Sequence, residues 1–390
     1  MVIGIFSYAE DLTGGNYRLV RTLQYFPSKK FVLMMPKDRL GNFKSATSNL
    51  KDQSLLKILN NAVALPSIKN YLKNINGIIK YAKILSAEAK NYGIDFIYFP
   101  YGNQFFSLAF RLSKFRWTQL LQQSPIVGSL IFEEGTGYGL FRKNLQYNFN
   151  YNEFKIVKSY LRLLLLKFST FNLPVLSVSE SIKYEMEKLG INLNLYTVRP
   201  GNGVDPCFNG SDKETDLVFY ARLIPQKGVY DFLKVVKKIP YANAVVAGFA
   251  SEATKKEIGE YLIRNDLDKR VKLLTNISRE DSAEILKRSK VFVYPSRLDS
   301  FALVVLESLS CGTPVVSYSI PAIRMNYLTE AVVKVKPLDV DSLIRESENI
   351  LKNEKWVELG KAGKEYASKY SWEKVAASEW RILEKIYFYE

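Results

Sequence analysis

The chain has 390 residues, 47% of them hydrophobic and 24% charged, with a net charge of +16, two cysteines and no histidine. That length exceeds one compact core and points to two domains of roughly 150–200 residues each. Without an imidazole there is no Ser-His-Asp triad, no histidine general base and no zinc site built on histidine. Two distant cysteines also leave no CxxC motif, so acid–base work falls to Asp, Glu, Lys, Tyr or the substrate.

From the N-terminus, Val2-Ile3-Gly4-Ile5-Phe6 reads as a first buried strand, too short and without the basic lead of a secretory signal. Runs at 30–35, 95–99, 125–132 and 174–178 have the Val/Ile/Phe character of strands buried on both faces, and helical patterns fall at 16–25, 67–91 and 152–170. No stretch reaches the ~20 apolar residues of a membrane span. The nearest, 161–178, is broken by Arg162, Lys167, Asn172 and Pro174. In the second half the alternation is regular. Strands at 216–220, 243–248, 271–274, 291–295 and 315–318 are separated by helices near 227–239, 252–265, 279–289 and 302–311.

Repeated β–α units imply an α/β fold of two Rossmann-like domains with parallel sheets, facing each other across a cleft. Gly190, Pro200-Gly201-Asn202-Gly203 and Pro206 mark the boundary between an N-terminal domain at 1–195 and a C-terminal domain at 196–371. The last helix, within 372–390 and starting after the N-cap candidate Ser371, is expected to pack back on the first domain. Cys207 and Cys311 could form a single disulfide by count, but two buried, reduced thiols of a cytoplasmic protein are the expectation.

Charge is unevenly spread. Residues 1–200 carry 26 Lys+Arg against 12 Asp+Glu, whereas residues 201–390 carry 29 against 27. The first half therefore asks for an anionic partner. The stretches 68–85 and 155–168 read as basic amphipathic helices, which suits an anionic membrane surface, with the protein on its inner face.

In parallel folds ligands bind beyond the carboxyl ends of strands. Gly14-Gly15-Asn16 follows the first strand, and Gly15 permits a close backbone approach. Glu133-Glu134-Gly135 lies in a Gly-rich loop at a strand end, where either carboxylate could touch a sugar or an acceptor, or serve as a base. Arg222 and Lys227 follow the strand at 216–220 and are placed to meet phosphate. Gly248 ends the next strand. Pro295 closes the strand at 291–295, Asp299-Ser300 offers helix-capping side chains, and Ala302 to Ser310 is helical, with Gly312 at its stop. The N–H groups of Ser300, Phe301, Ala302, Leu303 and Val304 then face a diphosphate. Asp299 is within reach of sugar hydroxyls, and Glu307 of a ribose hydroxyl.

Pro295-Ser296, Asp299 to Val304, Leu306-Glu307 and Gly312-Thr313-Pro314-Val315 resemble the E-x7-E segment of retaining GT-B glycosyltransferases, family 4 (glycosyl transferases group 1). The family pattern runs P-S-x-x-E-G-F-G-L-V-x-L-E-A-x-A-x-G-T-P-V. Arg222-Leu-Ile-Pro-Gln-Lys227-Gly228 resembles its G-R-L-x-x-x-K-G, Pro200-Gly-Asn202-Gly203-Val204-Asp205 its P-N-G-V-D turn, and Ala244 to Gly248 its I-V-G-x-G strand end.

The resemblance covers about 175 to 390. It implies a GT-B fold and a hexosyltransferase with a UDP- or GDP-linked sugar donor, a glycan or lipid-linked acceptor and no nucleic acid partner. No resident cofactor or metal is implied. Asp266-Leu-Asp268 and Asp339-Val-Asp341 fall at a turn and at a helix start. By the resemblance Asp299, Arg222 and Lys227 act in catalysis, and Glu134 joins them through a loose likeness to the E-E/D-G motif of bacterial sialyltransferases. Gly15, Arg222, Lys227, Gly248, residues 300–304 and Glu307 hold the donor. The chain departs from the family at Asp299 for Glu, at Ser300 and Ala302 for Gly, and in the absent first-domain histidine. Two alternatives stand beside this reading: a catalytically weak sugar-binding or regulatory protein of the same fold, and a basic nucleic-acid-binding protein.

Overall fold

The computed structural model describes residues 1–12, 14–50, 52–102, 104–122, 153–188, 190–207 and 212–389. Among these the chain forms two compact units. One holds the chain up to Gly203 together with Trp372 onward, and the other runs from Val204 to Ser371.

The first unit is built on seven strands: β1 (Ile3–Phe6), β2 (Phe31–Pro36), β3 (Val63–Leu65), β4 (Phe96–Phe99), β5 (Arg116–Leu121), β6 (Pro174–Ser177) and β7 (Asn194–Thr197). Their order is β3-β2-β1-β4-β5-β6-β7, and every pairing is parallel. β1 sits centrally, with Ile3 opposite both Phe31 and Phe96. Three strands escape the sequence reading. β3 is only three residues long. β7 is half-exposed at the sheet edge. β5 buries Thr118 and Gln119, whose polarity is met by the Pro174 carbonyl (2.9 Å) and the Ser107 hydroxyl (2.9 Å). The expected strand at 125–132 lies outside the described residues.

The helix expected over 67–91 begins only at Ile75, where Asn74 caps it by accepting the Gly77 N–H at 2.8 Å. The helix Trp372–Tyr389 belongs to this unit. Its Glu379 pairs with Arg18 at 2.5 Å, both side chains being buried, and accepts the Tyr98 hydroxyl at 2.7 Å. Trp372 meets Tyr17 edge-on.

The second unit has six parallel strands: β8 (Thr215–Tyr220), β9 (Ala244–Gly248), β10 (Val271–Thr275), β11 (Ser289–Tyr294), β12 (Val315–Tyr318) and β13 (Val332–Val335). Their order is β10-β9-β8-β11-β12-β13. Leu217, Phe219, Val246, Val291, Val293 and Val316 are fully buried, as expected of strands covered on both faces. The order reverses between β8 and β11, so the crevice beyond their carboxyl ends is the topological switch point, where such sheets take ligands.

Cys207 and Cys311 are joined in a disulfide, with Cα atoms 4.9 Å apart. This corrects the expectation of two reduced thiols. The fold lays the segment entering the second unit against the end of the helix Leu303–Ser310. There the Ser310 hydroxyl donates to the Asp205 carbonyl at 3.1 Å and accepts the Cys207 N–H at 3.3 Å. Among the described residues no helix is long and apolar enough to cross a membrane.

Candidate functional site

The loops after β8 and β11 meet because of one glycine. Gly228 has φ +82°, and a Cβ there would lie 2.1 Å from the Pro295 carbonyl oxygen. Only glycine allows this approach, which ends the short turn Pro225–Lys227 and starts the helix Val229–Lys238. The Arg297 N–H donates to the Gln226 carbonyl at 2.9 Å and ties the same two loops. Below them Arg297 and Asp231 form a buried ion pair at 2.5 Å, with the Tyr318 hydroxyl donating to Asp231 at 3.1 Å. Neither charge stands out in the sequence, since Asp231 reads as an ordinary first-turn acid of an amphipathic helix.

This approach brings the Lys227 ammonium to 2.6 Å from Asp299 Oδ2, and to 3.1 Å from both the Tyr294 hydroxyl and the Leu298 carbonyl. Tyr294 donates to the same Oδ2 at 2.6 Å. Asp299 Oδ1 accepts the N–H groups of Ser300 (2.8 Å), Ala302 (2.9 Å) and Phe301 (3.3 Å). Lys227 and Asp299 are 13% and 19% exposed, so solvent screens the pair little. Burial pushes the Asp299 carboxyl up, but Lys227, Tyr294 and the Ala302 N–H outweigh it and hold the carboxyl at about 2. Burial likewise pushes the Lys227 ammonium down, and Asp299 more than reverses this. The Tyr294 hydroxyl is raised by burial and by Asp299.

Ala302 caps the helix Leu303–Ser310 from a left-handed conformation, φ +64° and ψ +57°. This is the backbone reason a glycine suits the position. The Asp299 carboxylate reaches no further than Ala302. Leu303 and Val304 supply the first two N–H groups of the helix, which by helix geometry have no partner within it. The Phe301 ring is buried and packs edge-on to Tyr327, and its N–H, like those of Ser300 and Ala302, is taken by Asp299, which departs from the expectation that these three face a diphosphate.

One turn further, Glu307 pairs with Arg279, the first residue of the helix Arg279–Lys287. Burial raises the Glu307 carboxyl, Arg279 opposes this, and Asp205 adds to it. The sequence reading singled out Glu307 but not Arg279, whose signal is only its place after β10.

The remaining expectations divide. Arg222 is exposed at the carboxyl end of β8, and no described residue forms an ion pair with its guanidinium. Gly248 is explained by packing: its φ is +150°, and a Cβ would lie 1.7 Å from the Ala221 carbonyl oxygen. Gly15 begins a helix of the first unit, where a Cβ would meet Gln122 Oε1 at 2.3 Å, and Gln122 is itself anchored on the Pro100 carbonyl at 2.8 Å. Asp339 caps the helix Val340–Lys352 through the Ser342 N–H at 2.9 Å. Glu133 and Glu134 lie outside the described residues.

Residues 208–370 match the family model of glycosyl transferases group 1. An uncharacterized glycosyltransferase of Methanocaldococcus jannaschii is 28% identical over 233 residues, which is 56% of this chain and 62% of that protein. A D-inositol 3-phosphate glycosyltransferase of a Mycobacterium species is 29% identical over 140 residues, 34% of this chain and 30% of the relative. The chain thus spans less than two thirds of the curated relatives it matches. Among solved structures, sucrose-phosphate synthase of Thermosynechococcus elongatus superposes with a TM-score of 0.72 at 17% identity, covering 99% of both chains. Anabaena HepE, solved in complex with UDP-glucose, gives 0.68 at 13% identity, covering 99% of this chain and all of its own. WaaG, a glycosyltransferase involved in lipopolysaccharide biosynthesis, gives 0.64 at 10% identity, covering 98% and 99%. The fold is that of the GT-B glycosyltransferases.

Proposed function

We propose that this chain, whose second unit is a glycosyl transferases group 1 domain on a GT-B fold, moves a sugar from a nucleoside diphosphate to an acceptor hydroxyl. The observation that carries the reading is the placement of Lys227 at the switch point. It sits hydrogen-bonded to the loop that opens the helix Leu303–Ser310, with Arg222 exposed on the same strand end. A diphosphate is the ligand such a set takes: two cations and free helix N–H groups.

In the proposed reaction the donor diphosphate displaces the Asp299 carboxylate from Lys227. Arg222, Lys227 and the N–H groups of Leu303 and Val304 then stabilise the charge that builds on the leaving phosphate. Glu307, oriented by Arg279, accepts hydrogen bonds from the ribose. The acceptor oxygen attacks the anomeric carbon on the face the phosphate leaves. Its proton passes to the departing phosphate oxygen, so the configuration is retained and no protein base is consumed. The two cations meet the diphosphate charge without a metal ion. The HepE complexes with UDP and UDP-glucose support a UDP-linked donor. The role of WaaG in lipopolysaccharide biosynthesis supports a lipid-linked or cell-envelope glycan as acceptor, met at the inner membrane face.

Incubation with UDP- and GDP-sugars, followed by assay of released nucleotide and of the product anomer, tests the reading. Turnover with retention supports it, and absence of any donor-dependent release refutes it. A catalytically weak sugar-binding protein is the second reading, favoured because Asp299 is spent on its own loop. Donor binding without turnover selects that alternative.

A further inference from the structure

From Leu161 on, the helix Glu153–Ser169 has two apolar faces. Leu163 and Leu166 are buried in the first unit, as one core-facing stripe requires. On the opposite side Leu161, Leu164 and Phe168, at helical spacing, are 59%, 39% and 64% exposed. Phe171, just beyond the helix, is 59% exposed, and Leu112, on the neighbouring helix Gln104–Ser113, is 54% exposed. Arg111 joins these pieces into one surface: its guanidinium lies 5.9 Å from the Phe168 ring and donates to the Phe171 carbonyl at 2.9 Å. Large apolar side chains grouped in water mark a surface that is covered by something else.

The surrounding charge identifies the cover. Among the described residues, 161–179 include Arg162 and Lys167 and no Asp or Glu, and 96–122 include Arg111, Lys114 and Arg116 and again no Asp or Glu. A second copy would bring one basic rim against another, and like charges repel. An anionic bilayer takes the apolar side chains below its phosphates and the Lys and Arg heads at them. The other basic helix of the sequence reading, Ile75–Asn91, spends Ile78, Tyr81, Ala82, Leu85 and Ala89 on the core.

We propose that Leu161, Leu164, Phe168, Phe171 and Leu112 form a membrane-insertion face that seats this protein on anionic lipid. The proposal rests on the transferase reading only in linking that seat to a lipid-borne acceptor.

Co-sedimentation with phosphatidylcholine vesicles, with and without phosphatidylglycerol, tests it on the full chain. The wild type is expected to bind the anionic vesicles at low salt and to weaken as salt rises. Phe168→Asp and Phe171→Asp are each expected to lose binding roughly tenfold, the scale of one large apolar side chain. Lys114→Glu with Lys167→Glu is expected to weaken binding with the apolar face untouched. Thermal melts confirm that the variants fold. Failure of the wild type to bind anionic vesicles at low salt overturns the proposal, as does wild-type binding by the Phe variants. A vesicle-free dimer in sedimentation that Phe168→Asp dissociates also overturns it, in favour of a second copy. A nucleoside-diphosphate thermal shift on the same samples keeps the two readings apart. Its loss with vesicle binding intact sinks the transferase reading alone.

Discussion

Lys227 and Asp299, 72 residues apart in the chain, hold each other at 2.6 Å in the crevice where the order of the second sheet reverses. The cation that the proposed reaction assigns to the diphosphate is already paired with a carboxylate. That carboxylate also fills three backbone N–H groups at the mouth of the helix Leu303–Ser310. An aspartate, one methylene shorter than glutamate, folds back on its own loop in this way, and in the proposed reaction it is an internal anion that the donor displaces.

Asp299→Asn is therefore expected to tighten nucleoside diphosphate binding by roughly tenfold, since a competing negative charge leaves the site. Calorimetric titration with UDP and GDP measures this. Weaker binding in the variant would instead assign Asp299 a direct contact with the donor.

The same carboxylate sets an acid limit on stability. Its pKa in the fold, about 2, lies below the ordinary 3.8. The stabilisation it lends is complete above pH ~4 and is lost as pH falls through about 2, roughly 2 kcal/mol in all. Denaturant unfolding between pH 5 and pH 2 should show this loss in the wild type and a flatter profile in Asp299→Asn. Parallel profiles would contradict the pairing.

Burial pushes the Glu307 carboxyl above its ordinary range, and Arg279 opposes that rise. Removing it in Arg279→Ala raises the carboxyl further, so that ribose recognition by Glu307 fades as pH falls. Donor affinity in the variant is expected to drop several-fold between pH 8 and pH 5, and that of the wild type to change less. A pH-independent affinity in both would remove Glu307 from donor recognition.

Ala302 holds a left-handed conformation with its side chain buried. Ala302→Gly is expected to raise stability by up to about 1 kcal/mol through relief of that strain. Ala302→Val should lower it by more than about 2 kcal/mol. Thermal melts of the two variants decide whether the backbone there is as described.

The Cys207–Cys311 bond closes a sequence separation of 104 residues. Its reduction, or Cys311→Ser, is expected to cost about 2–4 kcal/mol of unfolding free energy. Denaturant curves with and without reductant should separate accordingly. Coincident curves, with two titratable thiols in the unfolded protein, would show the bond is not formed in solution.

Much of the second unit was legible because β8, β9, β11 and β12 are short apolar runs bounded by Gly, Pro or polar loops, a pattern only a doubly covered strand needs. β5 was not, because Thr118 and Gln119 are polar by themselves and acceptable inside only through partners the sequence does not display. In the site, Lys227, Asp299 and Glu307 were legible one by one, from strand ends and spacing. Their partners were not. The Lys227–Asp299 contact depends on Gly228 closing against Pro295, and the Asp231–Arg297 pair on a helix start and a loop 66 residues apart. The disulfide was misread because the bias toward reduced thiols says nothing of where the helix end and the entering segment meet.

Isothermal titration of the wild type, Lys227→Ala and Arg222→Ala with UDP and GDP probes the proposed diphosphate site itself. The wild type should bind one of the two nucleotides. Each substitution should weaken that binding by roughly ten- to a hundredfold, the worth of a charge-assisted phosphate contact. Binding of neither nucleotide by the wild type, or equal affinity in all three proteins, would contradict a diphosphate site at the ends of β8 and β11.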